Sequence, residues 1–179
     1  MELIFPTIEH KKMAMDYRQE YIDCGETNIH GSGGFIHALN YETWLKKITN
    51  AQTASLRDWV DCSTYFAFEQ DKIVGTIQIR HTLNDSLIKS GGHIGYGVSP
   101  SQRRKGYATQ MLSLALLKCR ELGIEKVLVT CDKDNIASAK TIIKCGGIFE
   151  NEAFDEEEGN MVKRYWIKLY EEEMNNDNI

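Results

Sequence analysis

The sequence predicts a mixed α/β domain, a central mixed sheet flanked by helices, and three observations predict it. Two consecutive strand-then-helix units occupy residues 93–123 and 126–145. Two runs that read as hairpins, 63–80 and 148–169, stand on either side of them. Helical patterns gather before the first hairpin.

Taken in order, Met1 to Phe5 reads as a short strand, and His10 to Cys24 carries Met13, Tyr17 and Tyr21 at helical spacing before Gly25. Residues 25–38 form a turn-rich loop with Gly31, Ser32, Gly33 and Gly34, either a plain connection or a mobile lid. Tyr41 to Thr49, with Trp44, Leu45 and Ile48, predicts a second short helix. Ser63 to Glu69 and Lys72 to Arg80 are strand-like and close enough to pair as an antiparallel hairpin. Residues 82–92 connect to a strand at His93 to Val98. In the helix that follows, Ala108, Met111, Leu112, Ala115, Leu116, Cys119 and Leu122 recur at the three-and-four spacing of a half-buried helix, and Gly123 ends it. Lys126 to Cys131 suits a buried central strand beside the previous one, reached by a right-handed crossover. Asn135 to Cys145 predicts a helix with Ile136, Ala139 and Ile143 inward. Ile148 to Phe154 and Met161 to Leu169 flank the acidic turn Asp155 to Asn160 as a last hairpin. Residues 1–170 thus read as one domain, and 171–179 as an acidic, solvated tail.

Composition narrows the function. A chain of 179 residues with 42% apolar content can bury an ordinary core. A net charge of −5 argues against binding a polyanion, which needs a basic face, so no nucleic-acid partner is expected. With that balance, Trp44, Trp59 and Trp166 read as core or contact residues and not as base-stacking platforms. No apolar run approaches the roughly 20 residues that span a bilayer, and no leader pattern opens the chain; a cytoplasmic location away from membranes is the expectation. Cys24, Cys62, Cys119, Cys131 and Cys145 are scattered and odd in number, and the five histidines lack metal-ligand spacing, so neither disulfides nor a metal is predicted.

The most informative stretch runs from His93 to Thr109, where an apolar strand enters a basic turn that opens a long helix. Amides in the first turn of a helix lack intrahelical partners and sit at the positive end of its dipole, so they accept a phosphate. Arg103, Arg104 and Lys105 add positive charge, and Gly106 and Ala108 leave room for a ligand to approach the backbone. Gly95 and Gly97 inside the strand indicate either a distortion or a close approach. The runs G-x-G-x-x-G and G-x-x-x-x-G-K-[ST] of dinucleotide and nucleotide binders are missing.

The spacing Arg103, Gly106, Ala108 resembles the R-x-x-G-x-G/A signature of the GNAT superfamily of N-acetyltransferases, and the element order resembles that fold over essentially the whole chain. The resemblance implies acetyl-CoA as the acyl donor and an amine-bearing acceptor, with no metal, and it allows a homodimer. It implies that Val98, Arg103, Arg104, Lys105, Gly106, Tyr107, Ala108 and Thr109 hold the donor, and that the backbone N–H near Val98 polarises the thioester. It further implies that the strands at 93–99 and 126–132 splay to admit the pantetheine arm.

Many members carry a Glu where this chain has His93, which makes His93 a candidate base; the other reading is a histidine hydrogen-bonded at a strand end. Asn135 matches an Asn of the later helix and either bonds the pantetheine or caps the helix. The thiolate-protonating Tyr of many members corresponds to Ile142, so Ser138 or water would serve instead. Asp155 to Glu158 either attract a cation or solvate a turn. The activity implied is acetyl transfer to a primary amine of a small molecule or peptide by direct attack in a ternary complex. The alternative is a catalytically silent module of the same fold that binds acyl-CoA or a partner.

Overall fold

A computed structural model of the chain describes residues 1–53 and 59–170; the acidic tail expected at 171–179 lies outside them. Among the described residues there are seven strands and four α-helices: β1 Glu2–Ile4, α1 Lys11–Asp23, α2 Tyr41–Asn50, β2 Cys62–Glu69, β3 Lys72–Arg80, β4 Ile94–Val98, α3 Tyr107–Glu121, β5 Lys126–Asp132, α4 Ile136–Lys144, β6 Ile148–Asp155 and β7 Asn160–Lys168. These are the predicted elements, with bounds that differ by a residue or two. No helix among the described residues is long and apolar enough to cross a membrane.

The sheet is split. One antiparallel part has the order β1-β2-β3-β4 and the other the order β5-β7-β6. The β2–β3 hairpin closes through Gln70 and Asp71, both left-handed at φ 48 and 61, which matches the strand twist. Strands β4 and β5, linked by α3, are neighbours that form no ladder. They touch where the His93 N–H donates to the Leu128 carbonyl at 2.7 Å.

Two apolar clusters hold the layers. Helices α3 and α4 cover one face through Met111, Leu112, Ala115, Ala139 and Ile142, packed on Ile77, Ile79, Val127 and Val129. On the other side Tyr17, Tyr21, Phe35, Tyr41, Trp44 and Ile48 gather against Phe66 and Ile73. Trp44 is 1% exposed and donates its indole N–H to the Ser32 carbonyl at 2.7 Å, which fixes the glycine-rich loop to α2.

The predicted inward face of α4 needs correction. Ala139 and Ile142 are buried, whereas Ile136 and Ile143 are exposed. The helix is rotated so that the line through Ala139 and Ile142 meets the core, which leaves Ile136 and Ile143 at the edge of that face and in solvent. Likewise Ala14, and not the exposed Met13, joins Tyr17 and Tyr21 on the buried side of α1.

Candidate active site

The register of the two half-sheets determines what lies between them. Arg80 N–H donates to the His93 carbonyl at 2.8 Å and Ser99 N–H to the Val74 carbonyl at 2.9 Å. In an antiparallel ladder such pairs alternate, so Gly95 and Gly97 turn their backbone groups to Gln78 and Thr76 on β3. Ile94, Tyr96 and Val98 therefore aim theirs away from β3, towards β5. The same parity on β5, set by Lys133 N–H to Met161 and Leu169 N–H to Glu125, turns Leu128 and Thr130 towards β4. Leu128 meets His93, and beyond that contact the facing edges stay unpaired. The result is a cleft walled by main-chain donors and acceptors, closed at His93 and open towards Val98.

At its open end lies the predicted donor loop. Gly106 is the N-cap of α3 at φ 82 and gives the helix no side-chain cap, so the first-turn amides of Tyr107, Ala108 and Thr109 lack a capping partner. A Cβ on Gly106 would meet nothing within 4 Å, which leaves the space in front of those amides clear. Such an end fits a pyrophosphate. Arg104 stands at φ 63, and Lys105 donates to Gln102 at 2.9 Å. Arg103 is already engaged: its Nη1 and Nη2 lie 2.7 and 2.8 Å from the two carboxylate oxygens of Glu26, and its Nε donates to the Val98 carbonyl at 3.1 Å. The Val98 N–H remains aimed into the cleft.

The closed end opens into a cavity of about 490 Å³. One wall carries the loop Asn28 to Gly34, Lys47, Trp59 and Arg80. The other carries Thr130, Cys131, Asp132, Asn135 and Ser138, with Asp155, Glu158 and Asn160 from the last hairpin. Val98 and residues 103–109 do not line it, whereas Asn135 and Ser138, also predicted to meet the donor, do, so the predicted donor residues divide between the basic loop and the cavity.

Gly97 of β4 and Gly31 of the loop facing it each have a specific cause. A Cβ on Gly97 would come within 2.9 Å of the His30 carbonyl, and one on Gly31 would collide with the Gly95 carbonyl. The close approach foreseen from sequence is thus made by the chain's own 28–34 loop, which lies flat on the strand.

His93 is 7% exposed and is not part of the cavity wall. Its Nδ1 accepts the Leu128 N–H at 2.9 Å. Burial, and then the Arg80 charge, push its pKa down to about 4, so the ring is neutral at pH 7. Asn135 caps α4, its Oδ1 accepting the Ser138 N–H at 3.0 Å, and its side chain also borders the cavity. Asp155 solvates its turn, accepting the Glu157 and Glu158 amides at 3.0 and 3.1 Å, and Glu156 pairs with Lys89. Among the described residues there is no group of three His, Cys, Asp or Glu side chains placed to hold a metal.

Two features escaped the sequence reading as site residues. The Tyr96 hydroxyl lies 2.8 Å from Ser138 Oγ inside the cavity wall, and burial pushes its pKa up to about 12 against that hydrogen bond. It supplies a phenol although Ile142, the position expected from sequence to carry one, is wholly buried in the core. Arg80 was read only as the end of a strand; a cation closing an otherwise apolar run was the available signal.

The chain matches the model of the acetyltransferase (GNAT) family over residues 35–146. No curated protein sequence matches it. Among solved structures it is similar to RimL, a ribosomal L7/L12 alpha-N-protein acetyltransferase in complex with coenzyme A, at 16% identity and TM-score 0.66, covering 93% of this chain and 92% of that one. The microcin C7 self-immunity acetyltransferase MccE, in complex with acetyl-CoA and AMP, is similar at 17% identity and TM-score 0.66, covering 93% and 91%. A mutant of the spermidine N-acetyltransferase SpeG from Vibrio cholerae is similar at 15% identity and TM-score 0.61, covering 94% and 95%. At these identities the likeness is one of fold. The family match spans more than half the chain, and with the split sheet and the R-x-x-G-x-A turn in place, this chain belongs to the GNAT family of acetyltransferases.

Proposed function

We propose that residues 1–170 form one acetyltransferase domain that moves an acetyl group from acetyl-CoA to a primary amine of a small molecule or peptide, by direct attack within a ternary complex. One observation carries this reading: the unpaired facing edges of β4 and β5 lead from an uncapped helix N-terminus to a polar cavity. Acetyl-CoA supplies an activated thioester. The amides of Tyr107, Ala108 and Thr109, with Arg104 and Lys105, hold its pyrophosphate. Arg103 braces the loop from behind through Glu26. The outward groups of Tyr96 and Val98 receive the pantetheine arm, and the Val98 N–H stabilises charge on the thioester oxygen. Asn135 caps α4 through Oδ1, which leaves its amide nitrogen for the same arm.

Tyr96, held by Ser138, donates a hydrogen bond that stabilises the departing thiolate, which takes its proton from water; a pKa near 12 keeps the phenol protonated and able to donate. The proton of the acceptor ammonium leaves into the cavity, where the carboxylates of Asp132, Asp155 and Glu158 face it. His93 acts as a positioning residue that pins the closed end of the cleft, because its Nδ1 is occupied and its basicity is low.

Incubating the chain with acetyl-CoA and a panel of primary amines, with release of free thiol as the readout, tests the proposal. Acetylated amine should appear, initial-rate plots should intersect, and intact mass should stay unchanged when donor is mixed without acceptor. A stoichiometric acetyl adduct on a cysteine that discharges to the amine would overturn direct transfer. Absence of both thiol release and coenzyme A binding would overturn the activity.

A further inference from the structure

The charges around the cavity are arranged in two opposed sets. Asp132, Asp155 and Glu158 lie together, Asp132 accepting a hydrogen bond from the Asn160 side chain at 3.2 Å. Across from them Arg80 and Lys47 line the wall formed by the end of β3, α2 and the glycine-rich loop. Neither cation is paired with a carboxylate among the described residues. Lys47 donates to the Gly33 carbonyl at 3.0 Å.

Arg80 is the more telling of the two. Its Nη1 donates to the Gly91 and Gly92 carbonyls, 3.0 Å each, which ties down the connector before β4. Neutral carbonyls satisfy donors but leave the positive charge uncompensated. Its Nε is buried without a partner. Its Nη2 lies 3.7 Å from where a Cβ on Gly95 would stand, over a residue that borders the cavity. Taking a guanidinium out of water is costly unless an anion faces it, and burial does push the Arg80 pKa down. Anchoring the connector alone would need one nitrogen and no charge. A guanidinium placed at a cavity with an open nitrogen is suited to a carboxylate or a phosphate.

We propose that the acceptor carries, besides its amine, an anionic group that Arg80 binds with the help of Lys47, while the amine lies towards the acidic wall near Tyr96 and Ser138. The acceptor class is then an amino acid, a peptide end or an aminoalkyl phosphate, and not a polyamine. This inference rests on the acetyltransferase reading above. A purely cationic acceptor would gain from the acidic wall but would have to stand against two cations that pair with no carboxylate among the described residues.

Matched acceptor pairs test it, with thiol release as the readout: α-amino acids against their carboxamides for the carboxylate, and aminoethyl phosphate against ethanolamine for the phosphate, with spermidine as the polycation. In at least one pair the anionic member should have kcat/KM about tenfold or more above its neutral partner. Arg80→Gln should remove that preference by raising KM for the anionic member alone, Lys47→Gln should reduce it, and Arg80→Lys should restore part of it. Whichever pair discriminates identifies the anion. Equal rates within both pairs, a preference for spermidine, or equal KM shifts for both members in Arg80→Gln would overturn the proposal.

Binding gives a readout independent of turnover. N-acetylated amino acids and acetylated aminoethyl phosphate, titrated calorimetrically into wild type and Lys47→Gln, should bind more tightly than their neutral counterparts and lose that margin in the variant. This arm also covers an Arg80→Gln protein that fails to fold. Anion-selective binding without thiol release would sink the acetyltransferase reading and spare the anion site, whereas thiol release without anion selectivity would do the reverse.

Discussion

The half of the site proposed for the donor is made of main chain and lies largely within one stretch of sequence, whereas the half proposed for the acceptor is made of side chains from several separate elements. Towards Val98 the cleft offers amides and carbonyls left over by strand register, then the amides that begin α3. Towards His93 it offers Arg80, Lys47, Asp132 and Glu158, each brought by a different element or turn. Main-chain recognition tolerates side-chain change, so a shared donor can be kept while the far wall varies.

The His93 contact joins the two halves, and disturbing it should have the largest effect. In the unfolded chain His93 takes up a proton near pH 6.5, but in the fold it does so only near 4. Its contribution to stability is therefore complete above about pH 6.5 and is lost as pH falls through the window to 4, by up to about 3 kcal/mol. Urea unfolding of His93→Asn, which keeps an acceptor near the Leu128 amide but does not titrate, should show a flatter pH dependence over that window. Identical slopes in both proteins would mean that His93 is already protonated in the fold.

Gly106→Asp should break the donor half alone. A new Cβ meets nothing, and Asp tolerates the left-handed conformation better than most residues, so the fold should hold. Negative charge at the uncapped helix end should weaken coenzyme A binding by about fiftyfold. Unchanged calorimetric affinity would move the pyrophosphate elsewhere.

Tyr96→Phe sharpens the boundary, because Tyr96 belongs to the donor strand by its backbone and to the cavity by its hydroxyl. Its kcat should fall about tenfold with donor affinity intact. A kcat equal to wild type would mean that the thiolate leaves without the Tyr96 hydrogen bond.

What could be read from the sequence follows the same division. The turn from β4 into α3 was legible because strand end, basic turn, Gly106 and helix start are contiguous and each has a local physical reason. The hairpins and helices were legible from periodicity. The cavity was not, since Arg80 meets Gly95 and Gly92, and Tyr96 meets Ser138, only after strands far apart in sequence are placed. The face of α4 was misjudged because Ile136, Ala139, Ile142 and Ile143 leave its rotation open until a neighbouring layer chooses one side.

Because the 28–34 loop rests directly on the backbone of β4, with Gly31 over Gly95 and His30 over Gly97, the wall proposed to select the acceptor is keyed to the strand proposed to align the donor. The loop therefore cannot be exchanged as a cassette. A segment grafted from a relative would need glycine at position 31, where a Cβ would collide with the Gly95 carbonyl, and would have to meet glycine at 97, where a Cβ would come within 2.9 Å of the His30 carbonyl. On the proposed assignment, acceptor range is inherited with the donor strand, and directed evolution that diversifies the loop alone should recover working variants only among those that keep Gly31.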